Sequence, residues 1–526
     1  MRPSRVSRAK IVPMRPWLIL LVWLALPPPA AGQPASSSPA QALVARGIEL
    51  LRAERAADAR AAFNSAVSAD ATYAPAHYFI GYLLEQDRDW AGARAAYTRA
   101  VGLAPEMAEA HDRLGFVLGQ QGHTDQALAA FERAVKLKPD LFGAQYHLGA
   151  TRWWTGQADA ALPALQAAVR LDPQHAEARY YLGLTWRQLG DLTRAIAELR
   201  QAATINPSLP VAHAHLGIAL REAGDLDAAV VSLQKALTLD SSQDDAMNAL
   251  GLAYMQRGDA DKAVETFHAI VKRSPENLAA RHNLGTVHMQ KGDLSAAVAV
   301  LRDLVARSPD NGEAYYNLGT ALKQQDEFEA AEQALREAVR LRPDLPEARY
   351  TLGVVLWQTQ RPQEAAEAFR AAVTAKPGYA EAHYMLGTVL RQLGEADEAL
   401  AEFHRTLEHE SDSAEAWIGI GQILQRRKDT QGAADAFAKA DRLRRAKADA
   451  QAATFAVSTG IQKLKEGDLD TAVGQLREAV RLAPDNAQAH YQLSLALERR
   501  GSSEEAAAHL AEARRLAPDL VPANAR

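Results

Sequence analysis

Tyr315-Tyr-Asn-Leu-Gly-Thr-Ala-Leu322 sets a glycine, Gly319, inside an apolar run, and that glycine belongs to a series. Leu-Gly recurs at Gly115, Gly149, Gly183, Gly217, Gly251, Gly285, Gly319, Gly353 and Gly387, each 34 residues after the last. The same step reaches Gly81 and Gly47 going backward and Gly421 going forward. After a shift of five the series resumes at Gly460 and ends on Ser494, which makes fourteen units. Twelve residues after each member stands alanine, from Ala59 to Ala506, and sixteen after stands a bulky apolar residue, such as Phe63, Leu335 or Leu510. Proline recurs 24 residues after in most units, from Pro105 to Pro518. A fixed period of this length is the signature of a solenoid built from one repeated supersecondary unit.

Each unit holds two windows with apolar residues spaced by three and four, the pattern of an amphipathic helix. Gly-Asp pairs such as Gly190-Asp191 and Gly292-Asp293 stand between the windows. Glycine takes the left-handed backbone that ends one helix, and aspartate caps the next. Proline then stops the second helix. A mid-helix glycine costs about 1 kcal/mol against alanine, so its recurrence predicts close approach of the paired helix. The recurring alanine supplies the matching small surface, and the bulky residue is expected to fill the space between one pair and the next. The predicted fold is all-α, a solenoid of about fourteen 34-residue antiparallel helix pairs.

The combination of an aromatic or Leu, Leu-Gly, an apolar residue, Ala, Phe and Pro at these offsets resembles the tetratricopeptide family over nearly the whole chain after its first 39 residues. The resemblance implies a right-handed superhelix with a concave face lined by first helices, and a protein- or peptide-binding role. Tyr315–Leu322 and His282-Asn-Leu-Gly-Thr286 are also similar to the repeat region of O-linked N-acetylglucosamine transferases. In those enzymes an Asn two before the glycine forms a ladder that grips substrate backbone. Asn283 and Asn317 match it, whereas Ala249, Thr351 and Met385 stand at that place in other units, and the chain has no room for the catalytic domain.

The expected organisation is a signal peptide at 1–32, a polar linker at 33–39, repeats 1–12 at 40–447, a helical insertion at 448–452, and repeats 13–14 with a truncated cap at 453–526. The insertion is read from Ala433–Ser458, where no Gly, Pro or turn cluster interrupts the run and Arg445 stands at the expected proline. The second helix of unit 12 should therefore run on, and the array should kink there.

A basic leader precedes Trp17–Leu26, whose ten apolar residues suit a signal peptide and are too few for a stable anchor. Export is expected, to a periplasm or to the outside, with no integral span after cleavage. Past residue 32 the chain keeps 54 basic against 64 acidic residues, a net charge near −10 and no footprint for nucleic acid. Without cysteine, thiolate metal sites and cysteine nucleophiles are excluded. No phosphate loop, HExxH or GxSxG interrupts the period, so neither catalysis nor a cofactor is expected. His77, His111, His213, His383 and His490 share one repeat position, four before the small residue. Stacked units are about 10 Å apart, too far to share an ion, so polar packing is expected of these histidines.

Binding residues follow from the offsets at which the resemblance places groove-lining side chains. Three before the glycine stand Tyr146, Tyr180, Tyr316 and Tyr350, four after stand Trp153 and Trp357, and five after stands Trp154. With Asn283 and Asn317 these are the candidate groove residues. Glutamine recurs five after, as at Gln256 and Gln392. Such a lining suits an extended protein segment, since aromatic anchors dominate interface energetics. It also suits a glycan, in which case the chain would help assemble or export a polysaccharide. A third reading is a targeting subunit for a separately encoded enzyme.

Overall fold

The computed structural model describes residues 38–520, and the expected signal segment 1–32 lies outside them, as do most of the linker and the last six residues. The described residues form 27 α-helices and a short 3-10 turn at Pro518–Leu520, with no strand among them. Fourteen antiparallel pairs would need one helix more; the shortfall arises because a single helix serves two pairs. The chain divides after Val287 into two compact units, each a run of stacked helix pairs.

Pair 9, in the second unit, illustrates the local logic. Its first helix, Gly312–Gln324, starts on Asn311, whose side chain accepts from the Ala314 N–H at 3.0 Å. Its second helix runs from Phe328 to Leu341. A Cβ on Gly319 would lie 2.6 Å from Leu335 Cγ and 3.2 Å from the Ala331 carbonyl oxygen. The glycine is therefore a seat for the bulky residue of its own pair, and the recurring alanine forms the floor beside it. The expectation placed the bulky residue at the joint between pairs and did not include this seat within its own pair. The bulky residue does both: Phe403 lies over Gly387 of its own pair and over Gly419 of the next.

The residue seven after the repeat position ends every first helix and lies in the left-handed region in all fourteen pairs. Nine are glycines, from Gly122 to Gly501, and five are Glu54, Arg88, Asp326, Gln360 and Lys428. Second helices often open on an aspartate cap, as where Asp191 accepts from the Arg194 N–H at 2.8 Å.

The position four before the glycine has a scaffold role that its residue types conceal. His77, His111, His213, His383 and His490 each donate Nε2–H to the backbone carbonyl six residues earlier, at the proline position or its substitute Ala71, over 2.8–3.1 Å. Gln145, Arg179, Arg281 and Arg349 bond the same carbonyl in their pairs. The side chain fastens the inter-pair turn to the helix that follows it. Among the described residues no cluster of His, Asp and Glu could hold a metal ion. No described helix is long and apolar enough to cross a membrane.

The period breaks at one place in the second unit. Thr430–Glu466 is one uninterrupted helix of 37 residues, which joins the second helix of pair 12 to the first of pair 13. Ala433, Ala436 and Ala440 are buried near its start; Ala453, Ala456, Val457, Gly460 and Leu464 are buried toward its end. Pairs 13 and 14 have a core of their own, formed by Ala453, Val457, Leu476, Leu493 and their neighbours. Between the two buried stretches no residue of the helix is buried: residues 441–452 are exposed except Leu443, which is half-buried.

Candidate functional site

In the first unit, an aromatic band crosses the first helices of pairs 4, 5 and 6, which run Phe142–Trp154, Ala176–Gln188 and Pro210–Glu222. Trp153 and Trp154 close the first of these, and their rings meet edge to face with centroids 5.2 Å apart. The Trp154 indole N–H donates to the Tyr181 hydroxyl at 3.3 Å, and Trp153 lies edge-on to the Tyr181 ring at 5.6 Å. Tyr180 continues the band, 5.2 Å from Tyr181 and 5.5 Å from His215 of pair 6. All five of these side chains are half-buried, so each presents part of a ring to solvent. The Trp153 indole nitrogen is buried and has no hydrogen-bond partner among the described residues. Burial pushes the Tyr180 and Tyr181 hydroxyls above their ordinary 10, so both remain neutral donors.

Tyr146 does not belong to this surface. It is 2% exposed, stacked on Phe142 at 5.9 Å and enclosed by His147, His175 and Tyr181. Tyr78, at the same repeat position, is also 2% exposed. The position three before the glycine is thus a core position where the neighbouring helix brings bulk, and an open one elsewhere. Tyr181 was missed because it stands two before the glycine, where only an asparagine was read as a groove residue. The doublet Tyr180-Tyr181, aligned with Trp153-Trp154 one repeat earlier, was its signal. Trp186 was missed too; it is 8% exposed and lies beneath the Arg194 guanidinium at 3.8 Å.

Several other candidates are tied into the scaffold. Asn283 donates to Asn248 Oδ1 at 3.2 Å, between the first helices of pairs 7 and 8. In the second unit, Trp357 donates its indole N–H to Gln392 Oε1 at 3.1 Å, between pairs 10 and 11. Both links join residues 35 apart, as do Asp112 to His147, Arg187 to Glu222 and Arg221 to Gln256. A repeat of 34 plus one brings these positions face to face on neighbouring first helices, so Gln256 and Gln392, five after their glycines, act as struts. Asn317 and Tyr316 are half-buried in pair 9. Tyr350 meets Phe369 of its own pair at 5.7 Å and Tyr379 of the next at 5.2 Å.

A second polar cluster lies close by in sequence and is sealed. Glu85, Asp112, Arg113 and His147 are each 5% exposed or less. Arg113 bonds Glu85 at 3.2 Å and Asp112 at 3.0 Å, His147 bonds Asp112 at 2.7 Å, and the Tyr97 hydroxyl donates to Glu85 at 2.8 Å. Burial works against the charge on Asp112, but His147 and Arg113 more than offset it and hold the carboxyl down to about 2. A network with no solvent face locks the register of pairs 2 to 4 and offers nothing to a substrate.

The family models that match are tetratricopeptide-repeat models, at residues 44–108, 151–210 and 459–521 for one and 108–141 for another. Residues 219–456 match the cilia and flagella-associated protein 70 C-terminal domain. No curated protein matches the chain. Among solved structures, the chain is similar to YrrB, described as a TPR protein with an unusual peptide-binding site, at 24% identity over 36% of this chain and 96% of that one, with a TM-score of 0.33. MamA is similar at 32% identity over 31% of this chain and 96% of that one, TM-score 0.30. MamA from Desulfovibrio magneticus RS-1 matches at 27%, over 32% and 97%, TM-score 0.30. With repeat models matching on both sides of the long helix, and with helix pairs of the kind they describe, the chain belongs to the tetratricopeptide-repeat family.

Proposed function

We propose that this protein is an exported scaffold that binds extended protein segments along its first helices, assembles envelope complexes, and catalyses nothing itself. The repeat fold is consistent with protein–protein interaction, and one observation supports the binding of extended segments along the first helices. The Trp153–Trp154–Tyr181–Tyr180 band sets four partly open rings on neighbouring first helices of the first unit. Rigid aromatic rings give large contact area at little entropy cost and anchor bound chains. The ring hydroxyls of Tyr180 and Tyr181, kept neutral by burial, supply donors for backbone carbonyls of an extended segment.

The test is in-cell crosslinking with a photoreactive residue at Gln188, which is exposed at the repeat position of Trp154 one pair later, followed by recovery from the envelope fraction. Captured protein segments that disappear in Trp153→Ala/Trp154→Ala support the reading. Capture of glycan instead would move the band to a polysaccharide role, and capture indifferent to the tryptophans would take the binding face elsewhere. Recovery from the cytoplasm alone would remove the export part of the proposal and leave the binding part standing.

A further inference from the structure

In thirteen of the fourteen pairs the residue five before the repeat position is alanine, and from Ala76 to Ala416, and again at Ala489, that alanine is 0–1% exposed. It is covered by the second helix of the preceding pair: Ala144 packs with Ala134, Ala178 with Ala168, and Ala212 with Ala202. In pair 13 the residue is Phe455, and it is 74% exposed. Its cover is missing because the helix that should lie beside it is coaxial with it in Thr430–Glu466. The other end of the gap shows the same loss. Of the fourteen bulky residues sixteen after the repeat position, thirteen are buried and Phe437 is half-buried.

Phe437 and Phe455 are 18 residues apart, five full helical turns, so both stand on one face about 27 Å apart. Steps of four and three between them select Asp441, Arg444, Ala448 and Gln451 on that face, with Lys447 beside it. Residues 441–452 carry Arg442, Arg444, Arg445 and Lys447 against Asp441 and Asp449. None of the four cations makes an ion pair with an acid among the described residues, although many arginines elsewhere in the chain do. An uncovered stretch of helix with a half-open Phe437 and an open Phe455 at its ends and four basic residues against two acidic ones between them, in a chain that is acidic overall, is complementary to an acidic amphipathic segment.

We propose that this stripe of the long helix docks an acidic amphipathic helix of another protein. Apolar side chains of the partner cover Phe437 and Phe455, and its carboxylates meet Arg444 and Lys447. A second copy of this chain does not fit, because the same stripe would set Arg444 and Lys447 against their own like charges. This surface is independent of the aromatic band on pairs 4 to 6, and one can fail without the other.

The experiment places a photo-crosslinking amino acid at Phe455 in the full-length chain in its own cells, and identifies the captured segments by mass spectrometry. The same probe is run in an Arg444→Glu/Lys447→Glu background, whose exposed positions leave the fold intact, checked by helical content and by the melting of pairs 13 and 14. The expected result is a captured segment that is acidic and amphipathic at helical spacing, with a yield that falls about tenfold on charge reversal. Capture of this chain's own peptides, capture of a neutral or basic segment, a yield indifferent to the reversal, or no capture at all would each overturn the proposal.

Discussion

The Trp357 indole N–H donates to Gln392 Oε1 across 3.1 Å, and so ties the first helix of pair 10 to that of pair 11. A tryptophan that sequence assigns to a ligand-binding face is thus occupied in holding two repeats together. Trp357→Phe keeps an aromatic surface and deletes the donor. The expected cost is about 1 kcal/mol, the usual net worth of such a bond. It should register as faster amide exchange in Pro346–Gln358 and Ala380–Leu393, with distant pairs unaffected. Unchanged exchange together with lost partner capture would return the ring to a ligand.

The seat beneath Leu335 makes a second prediction. A Cβ on Gly319 would lie 2.6 Å from Leu335 Cγ, closer than packed carbons approach. Gly319→Ala should therefore destabilise pair 9 by roughly 1–3 kcal/mol through overpacking, even though alanine is the better helix former. Combining it with Leu335→Ala should recover part of the loss, because the crowded atom is gone. A double variant no more stable than the sum of the two single losses would show that the two side chains do not compete for one space.

The repeat was legible because each helix pair must satisfy the same packing equation, so one set of residue types recurs at fixed offsets. Gly319 and Ala331 could be placed against one another from spacing alone, whereas the seat of Leu335 on the glycine of its own pair could not. The long helix could be read too, since nothing between Ala433 and Ser458 breaks a helix. The binding face was less legible. Whether a side chain on a first helix is open or covered depends on the bulk of its neighbours one repeat away, which an offset does not encode. Tyr146 is enclosed because Phe142 and His175 close over it, whereas Tyr180 at the same offset keeps part of its ring open. The residue-to-residue step of 35 was equally hidden: it follows from how neighbouring first helices lean together, so the links that Gln392 and Asn283 make between repeats were not read.

Backbone strain gives a stabilising prediction. Gln360 ends its helix at φ +61°, where nine other pairs place glycine at φ +78° to +88°. A side chain in that region costs about 1 kcal/mol or more. Gln360→Gly should raise the stability of pair 10 by a few tenths to about 1 kcal/mol, the gain being reduced by glycine's freer unfolded chain. Lys428→Gly at φ +64° should act likewise in pair 12. Because each pair contacts chiefly its neighbours, the gain should be confined to exchange rates near the substituted turn. A loss of stability at both positions would mean that the side chains there make compensating contacts.

Acid should loosen the aromatic band before it unfolds the remainder of the array. Burial pushes the His215 imidazole down to about 4, with Arg187 adding to the shift and Glu222 opposing it, and its Nδ1 is buried without a hydrogen-bond partner among the described residues. The unfolded chain takes up this proton near pH 6.5, while the folded pair resists it until about pH 4. The contribution of His215 is therefore complete above pH 6.5 and is lost as pH falls from 6.5 toward 4, by at most about 3 kcal/mol. His175, also lowered chiefly by its burial, adds to the same slope from the neighbouring pair. Amide exchange in Ala176–Gln188 and Pro210–Glu222 should accelerate between pH 6.5 and 4.5 more than in helices without a buried histidine. His215→Phe, which keeps a ring beside Tyr180 and cannot titrate, should flatten most of that dependence. An equal acid response in the variant would assign the loosening to groups other than His215.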